Sequence, residues 1–103
     1  MQACQQFNGT ITLDDTLCQY QLKIETVNNN QFTFTEVCSL DGQVLETNSG
    51  QGNFTQDGQS LNLQFEDNGT VFRGVYNTSN GSLVGTNTQK NGSSSGNFSL
   101  QLA

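Results

Sequence analysis

The side chains of this sequence best equipped for acid–base or nucleophilic chemistry are its carboxylates and thiols. There are nine Asp and Glu, three Cys and no His. Without an imidazole, neither a Ser–His nor a Cys–His nucleophile pair can be built. The carboxylates include two adjacent pairs, Asp14-Asp15 and Glu66-Asp67. A catalytic carboxyl pair flanks a cleft at about 5–10 Å, whereas sequence neighbours on a strand point to opposite faces. The pairs therefore read as solvated turn formers, and the chain as a non-enzyme. A Ca²⁺ site would need oxygens from Asp14, Asp15, Glu66, Asp67 and Asn68 to converge, which requires the two turns to meet. Cys4, Cys18 and Cys38 form no C-x-x-C pair, so no metal or cofactor is expected.

Glu36 is the exception among the acids. It falls in phase with Phe32, Phe34 and Cys38, opposite Tyr20 in the hairpin derived below. A carboxyl on a dry face must be paired or protonated. Arg73, the only Arg, becomes its partner only if a bulge shifts the phase of its strand. One reading makes Glu36 a polar anchor within a ligand cavity. The simpler expectation places it past the core, in water.

The elements that must position these groups are legible from period and punctuation. Asx-Gly steps fall at Asn8, Asp41, Asp57, Asn68, Asn80 and Asn91. Both residues of such a step accept the positive φ of a tight hairpin turn. Between the steps, apolar residues alternate: Phe7, Ile11 and Leu13; Cys18, Tyr20, Leu22 and Ile24; Phe32, Phe34 and Leu40; Leu61, Leu63 and Phe65; Phe72 and Tyr76; Phe98, Leu100 and Leu102. Alternation of this kind marks half-buried antiparallel strands. Gln43–Thr47 reads as a strand, Asn48–Gly52 as a loop, and Asn53–Gln56 as a short strand around Phe54. Gly74 and Gly85, in mid-strand, read as bend points. No segment shows a helical period. The expected fold is all-β: a single domain over residues 1–103, forming an antiparallel up-and-down meander barrel of about eight strands. A flattened β-sandwich is the alternative.

A tip at Asn28 sets the second and third strands in register. Ile24 then faces Phe32, Leu22 faces Phe34, and Cys18 faces Cys38, with one apolar face throughout. A Cys18–Cys38 disulfide follows from that register, leaving Cys4 as the odd thiol. Three cysteines in a short, Lys-poor chain hint at an oxidising compartment.

Net charge is −6, with only Lys23, Arg73 and Lys90 as cations. No basic stripe exists to neutralise phosphates, so nucleic acid is not an expected partner. No apolar stretch reaches membrane-spanning length. Asn-X-Ser/Thr occurs seven times, at Asn8, Asn53, Asn68, Asn77, Asn80, Asn91 and Asn97. Glycosylation is one reading. Hairpin turns followed by a β-favouring residue account for Asn8, Asn68, Asn80 and Asn91 without sugar.

Two stretches carry a resemblance. Gln21–Phe65 (QLKIETVNNNQFTFTEVCSLDGQVLETNSGQGNFTQDGQSLNLQF) is similar in cadence to the N-terminal domain of bacterial copper-resistance outer-membrane lipoproteins. Thr70–Leu102 (TVFRGVYNTSNGSLVGTNTQKNGSSSGNFSLQL) resembles the repeating hairpins of bacterial lipocalin-like domains. The resemblance implies an extracytoplasmic, lipocalin-like barrel: secreted, periplasmic or at the cell surface. It implies no metal site, since only Cys18 stands where the copper-linked family has C-x-x-C. Ala3-Cys4 matches the tail of a lipoprotein cleavage site and makes Cys4 a candidate lipid anchor.

Two classes of function follow. The first is a non-enzymatic binding module that holds a small apolar ligand inside the barrel, lined by Tyr20, Leu22, Phe32, Phe34, Glu36, Phe65, Phe72 and Tyr76. Against it, a barrel this short has room for little beyond its own side chains. The second is a secreted or envelope interaction protein (an inhibitor, adhesin or carbohydrate-binding protein) whose polar loops contact a protein or other macromolecule. With no Trp, the usual platform for stacking sugars is missing.

Overall fold

The computed structural model describes every residue, Met1–Ala103. Eight strands follow one another: β1 (Gln6–Leu13), β2 (Thr16–Asn28), β3 (Gln31–Leu40), β4 (Gln43–Asp57), β5 (Ser60–Glu66), β6 (Thr70–Asn77), β7 (Ser82–Gln89) and β8 (Ser95–Leu102). Each pairs antiparallel with the next, and β8 returns to pair with β1, Phe7 facing Leu102 and Ile11 facing Phe98. The result is a closed up-and-down barrel. Closure satisfies the two strand edges that an open meander would leave bare.

Sidedness produces the core. β2 alternates buried Cys18, Tyr20, Leu22 and Ile24 with exposed Gln19, Gln21, Lys23 and Glu25. The inward residues of all eight strands except β4 merge into one cluster of 17 buried side chains, with Phe54 of β4 packed against it. Most strand connections are tight turns built from residues that accept positive φ. Asp14 (47°) and Asp15 (66°) close β1–β2, while Asp41 (52°) and Gly42 (78°) close β3–β4. Two positive φ values in succession give the primed turn that matches strand twist. Asn8-Gly9 departs from this pattern. It lies within β1, and a Cβ on Gly9 would sit 2.0 Å from the Ser99 carbonyl oxygen.

β4 is a single strand of 15 residues where the sequence suggests strand, loop and strand. Gly50 and Gly52 look like loop punctuation but are required by packing. A Cβ on Gly50 would meet the Glu66 carbonyl oxygen at 2.0 Å, and one on Gly52 would meet Phe65 Cβ at 2.4 Å. The space a side chain needs here is already taken.

The turns β1–β2, β3–β4, β5–β6 and β7–β8 cluster at one end of the barrel, called the mouth below. The other turns and both chain ends lie at the base. Backbone bonds tie the ends down there, from Cys4 N–H to the Ile24 carbonyl (2.7 Å) and from Ala103 N–H to the Gln6 carbonyl (2.8 Å).

Candidate functional site

The β2–β3 turn is Asn29-Asn30, one residue beyond the expected tip, with Asn29 at φ 57° and Asn28 facing Gln31. A bulge between Ile24 and Thr26 shifts the register again. The two displacements leave each strand's buried face unchanged but move every pairing. Tyr20 faces Cys38, Leu22 faces Glu36, and Ile24 faces Phe34. The expected Cys18–Cys38 bridge is therefore corrected: Cys18 and Cys38 are buried free thiols, and Cys4 is an exposed one.

Glu36 is not solvated. It is 2% exposed, on the inner face of β3 in the half of the barrel nearer the mouth. Tyr20, 1% exposed, donates its hydroxyl to Glu36 Oε1 at 2.5 Å. Asp67 from the β5–β6 turn lies within hydrogen-bonding reach of the Glu36 carboxyl. Asp67 is held there because its Oδ1 accepts from the Gly69 and Thr70 amides, each at 2.8 Å. Burial pushes the Glu36 carboxyl up to about 8, reinforced by its hydrogen bond with Asp67, while the Tyr20 bond pulls the other way. Burial thus favours the protonated, uncharged form of Glu36, with the partly exposed Asp67 carboxyl close by. Burial and the Glu36 carboxyl together raise the Tyr20 phenol well above its ordinary value. Burial likewise pushes the Cys38 thiol up to about 12. Arg73, the partner considered from sequence, lies exposed on the outer wall. Asp67, which strand phase does not link to Glu36, acts on that carboxyl instead.

The same half of the barrel holds Asn87, 3% exposed. Its amide donates to the Thr12 carbonyl at 3.2 Å, and its Oδ1 is buried with no hydrogen-bond partner. Asp67 faces Glu36 and its own turn, so the acidic turns at Asp14 and Glu66 supply no common ligand group.

All eight residues expected to line a ligand cavity are buried, and they pack on one another. Phe65 stacks on Phe72 with centroids 4.7 Å apart, and Phe34 meets Phe65 edge-on at 5.2 Å. Tyr20 stacks on Phe72 at 6.1 Å, and Phe7 meets Tyr76 edge-on at 5.1 Å. Such pairs contribute about 0.5–1.5 kcal/mol each beyond their buried area. Three hollows, of about 460, 520 and 440 Å³, open on the outer wall instead.

The mouth has an incomplete wall. β4 pairs with β3 from Gln43 to Asn53, but with β5 only from Gln51 onward. Gln43–Ser49 therefore has a strand on one side and none on the other. Both faces of this stretch are largely in water, and Val44 and Leu45 are 59% and 52% exposed. At its inner end lies the 520 Å³ hollow, which Glu25, Ser49, Glu66, Asp67 and Lys90 help to line. Lys90 Nζ sits there 3.3 Å from Glu66 Oε2.

Among the sequons, Asn80 and Asn91 occupy turns and accept the amides of Ser82 and Ser93 through Oδ1, at 2.9 and 2.8 Å. Asn8 instead stands on a strand, outward-facing. Compared with known proteins, the chain matches no protein-family model and no curated sequence.

Proposed function

We propose that the protein is a non-enzymatic, extracytoplasmic binding module that engages another macromolecule through the mouth of its barrel. The observation that carries this reading is the bare edge of β4. Seven residues, Gln43–Ser49, project beyond the last β4–β5 pair with exposed apolar side chains at Val44 and Leu45. A protein that needed only a stable barrel would gain from shortening this hairpin, since an unpaired strand invites aggregation. Against a ligand within the barrel stands the packing of Phe34, Phe65 and Phe72, which an apolar guest would have to displace. The extracytoplasmic setting and a lipid on Cys4 belong to the same proposal; Cys4 is exposed, at the base.

Titration with an apolar fluorescent dye tests it. The native protein is expected to give no saturable uptake. Uptake of one dye per chain would overturn the reading in favour of an interior ligand site. Intact mass of native material reads a lipid on Cys4 directly.

A further inference from the structure

We infer that the bare edge of β4 takes an extended, cationic segment of another protein as an added strand, with one Lys or Arg side chain seated in the hollow beside it. The inference rests on the mouth being the working surface, and it names the partner that this surface fits.

Strand addition supplies affinity through main-chain hydrogen bonds and specificity through pockets for alternate side chains. Both parts are present. Gln43–Ser49 spans about 20 Å at ~3.3 Å per residue, enough for a segment of five or six residues. Bare edges are ordinarily blunted by charged side chains (Lys above all), by Pro or by a bulge. This one has neither Lys nor Pro, and its one charge, Glu46, repels only like-charged strands. Its bulge lies at Leu45, near the tip, where Ser39 faces Val44 and Cys38 faces Glu46. Glu46–Ser49 is left regular and open. Val44 and Leu45 offer apolar contact to the incoming strand.

Charge selects the occupant. Asp14, Asp15, Asp41, Glu46, Glu66 and Asp67 all belong to the mouth, against the single cation Lys90. A potential of one sign steers oppositely charged partners and rejects like ones. The hollow already receives an ammonium group, that of Lys90 on Glu66. Glu25 and Asp67 line the same hollow. A second copy of this chain fits poorly. Antiparallel pairing of Gln43–Ser49 with itself centres Glu46 on Glu46, and like charges directly opposite one another destabilise a sheet. Each copy also brings a net charge of −6.

The probe is a capped hexapeptide of alternating Lys and Val, titrated into the intact protein and followed by two-dimensional amide NMR. The expected result is saturable one-to-one binding, with shifts concentrated at Gln43–Ser49 and Glu66–Asp67. Affinity should fall about fivefold from low to physiological salt, because the attraction is partly exposed and screened. Glu66→Gln should weaken binding about threefold, the scale of one exposed ion pair. The same peptide N-methylated at every residue, which leaves no amide N–H on either edge to pair as a strand, should lose binding.

Equal binding of the N-methylated peptide would reduce the effect to charge attraction and overturn strand addition. So would shifts located elsewhere, or no binding at all. Concentration-dependent protection of the Gln43–Ser49 amides without peptide would make the occupant a second copy, which also overturns it. If the peptide is silent and the apolar dye is silent too, strand addition falls while the surface-acting reading stands. Stoichiometric dye uptake removes the reading on which both rest.

Discussion

The Tyr20 hydroxyl on β2 donates to Glu36 Oε1 on β3 at 2.5 Å, two residues off the cross-strand register in which Tyr20 faces Cys38. A phenol and a carboxylic acid thus form a diagonal bridge inside a barrel otherwise lined mostly by hydrocarbon. Asp67, from the β5–β6 turn, acts on the same carboxyl and raises its value further.

Stability should fall as pH rises through neutrality. A carboxyl whose pKa is raised on folding binds its proton more tightly in the folded state. Its contribution is fully present below about pH 4.5 and is lost as pH climbs to about 8. At about 1.4 kcal/mol per unit, the loss reaches on the order of 4–5 kcal/mol. Urea unfolding at acid and mildly alkaline pH measures it, and Glu36→Gln should flatten the curve. An unchanged slope in that variant would place the proton elsewhere.

Tyr20→Phe should cost about 1–3 kcal/mol at alkaline pH, where a buried Glu36 anion loses its donor. The cost should shrink in acid, where Glu36 is neutral. The Tyr20 bond opposes the rise in the Glu36 value, so removing it should move the stability midpoint to higher pH. Equal costs at both extremes would mean that the hydroxyl serves packing alone.

Thiol labelling should separate the cysteines. In native protein Cys4 is exposed, while Cys18 and Cys38 are buried and the Cys38 thiol is pushed up to about 12. In protein without a lipid on Cys4, one fast label is expected before unfolding and three labels after it, read by mass. A single label in denatured, unreduced protein would restore the Cys18–Cys38 bridge.

Gly52→Ala should destabilise by about 1–3 kcal/mol or more, the usual range for forcing volume into a packed wall. Its new methyl would lie 2.4 Å from Phe65 Cβ and 2.6 Å from the Gln64 carbonyl oxygen. Gly69→Ala is the control: the nearest atom to its added Cβ is 3.8 Å away, and its φ is not positive. Thermal melts of the two variants should therefore diverge. Equal melting temperatures would deny the close approach of β4 to β5.

Much of the fold was legible because burial on one face has a period of two. Cys18, Tyr20, Leu22 and Ile24 announce their side without any knowledge of partners. Partners were harder to read. Asn28, Asn29 and Asn30 each tolerate a turn, and nothing in the sequence of Ile24–Thr26 signals a bulge. The pairing was therefore displaced by two residues with sidedness intact, an error that hydrophobic pattern cannot detect. Gly50 and Gly52 misled for a related reason. Glycine marks both a loop and a site of close backbone approach, and only the third dimension distinguishes them. For Glu36 the phase was visible in the sequence. Its neighbour Asp67 comes from a turn some thirty residues downstream, which the phase of β3 alone does not reveal.

Both chain ends leave from the base of the barrel, bonded there through Cys4 and Ala103. Whatever is attached at either end therefore grips the molecule by its floor and holds the acidic rim outward. A fluorescent tag, a tether to a bead or a lipid at Cys4 would present the same face to the surroundings, with the β3–β4 hairpin leading.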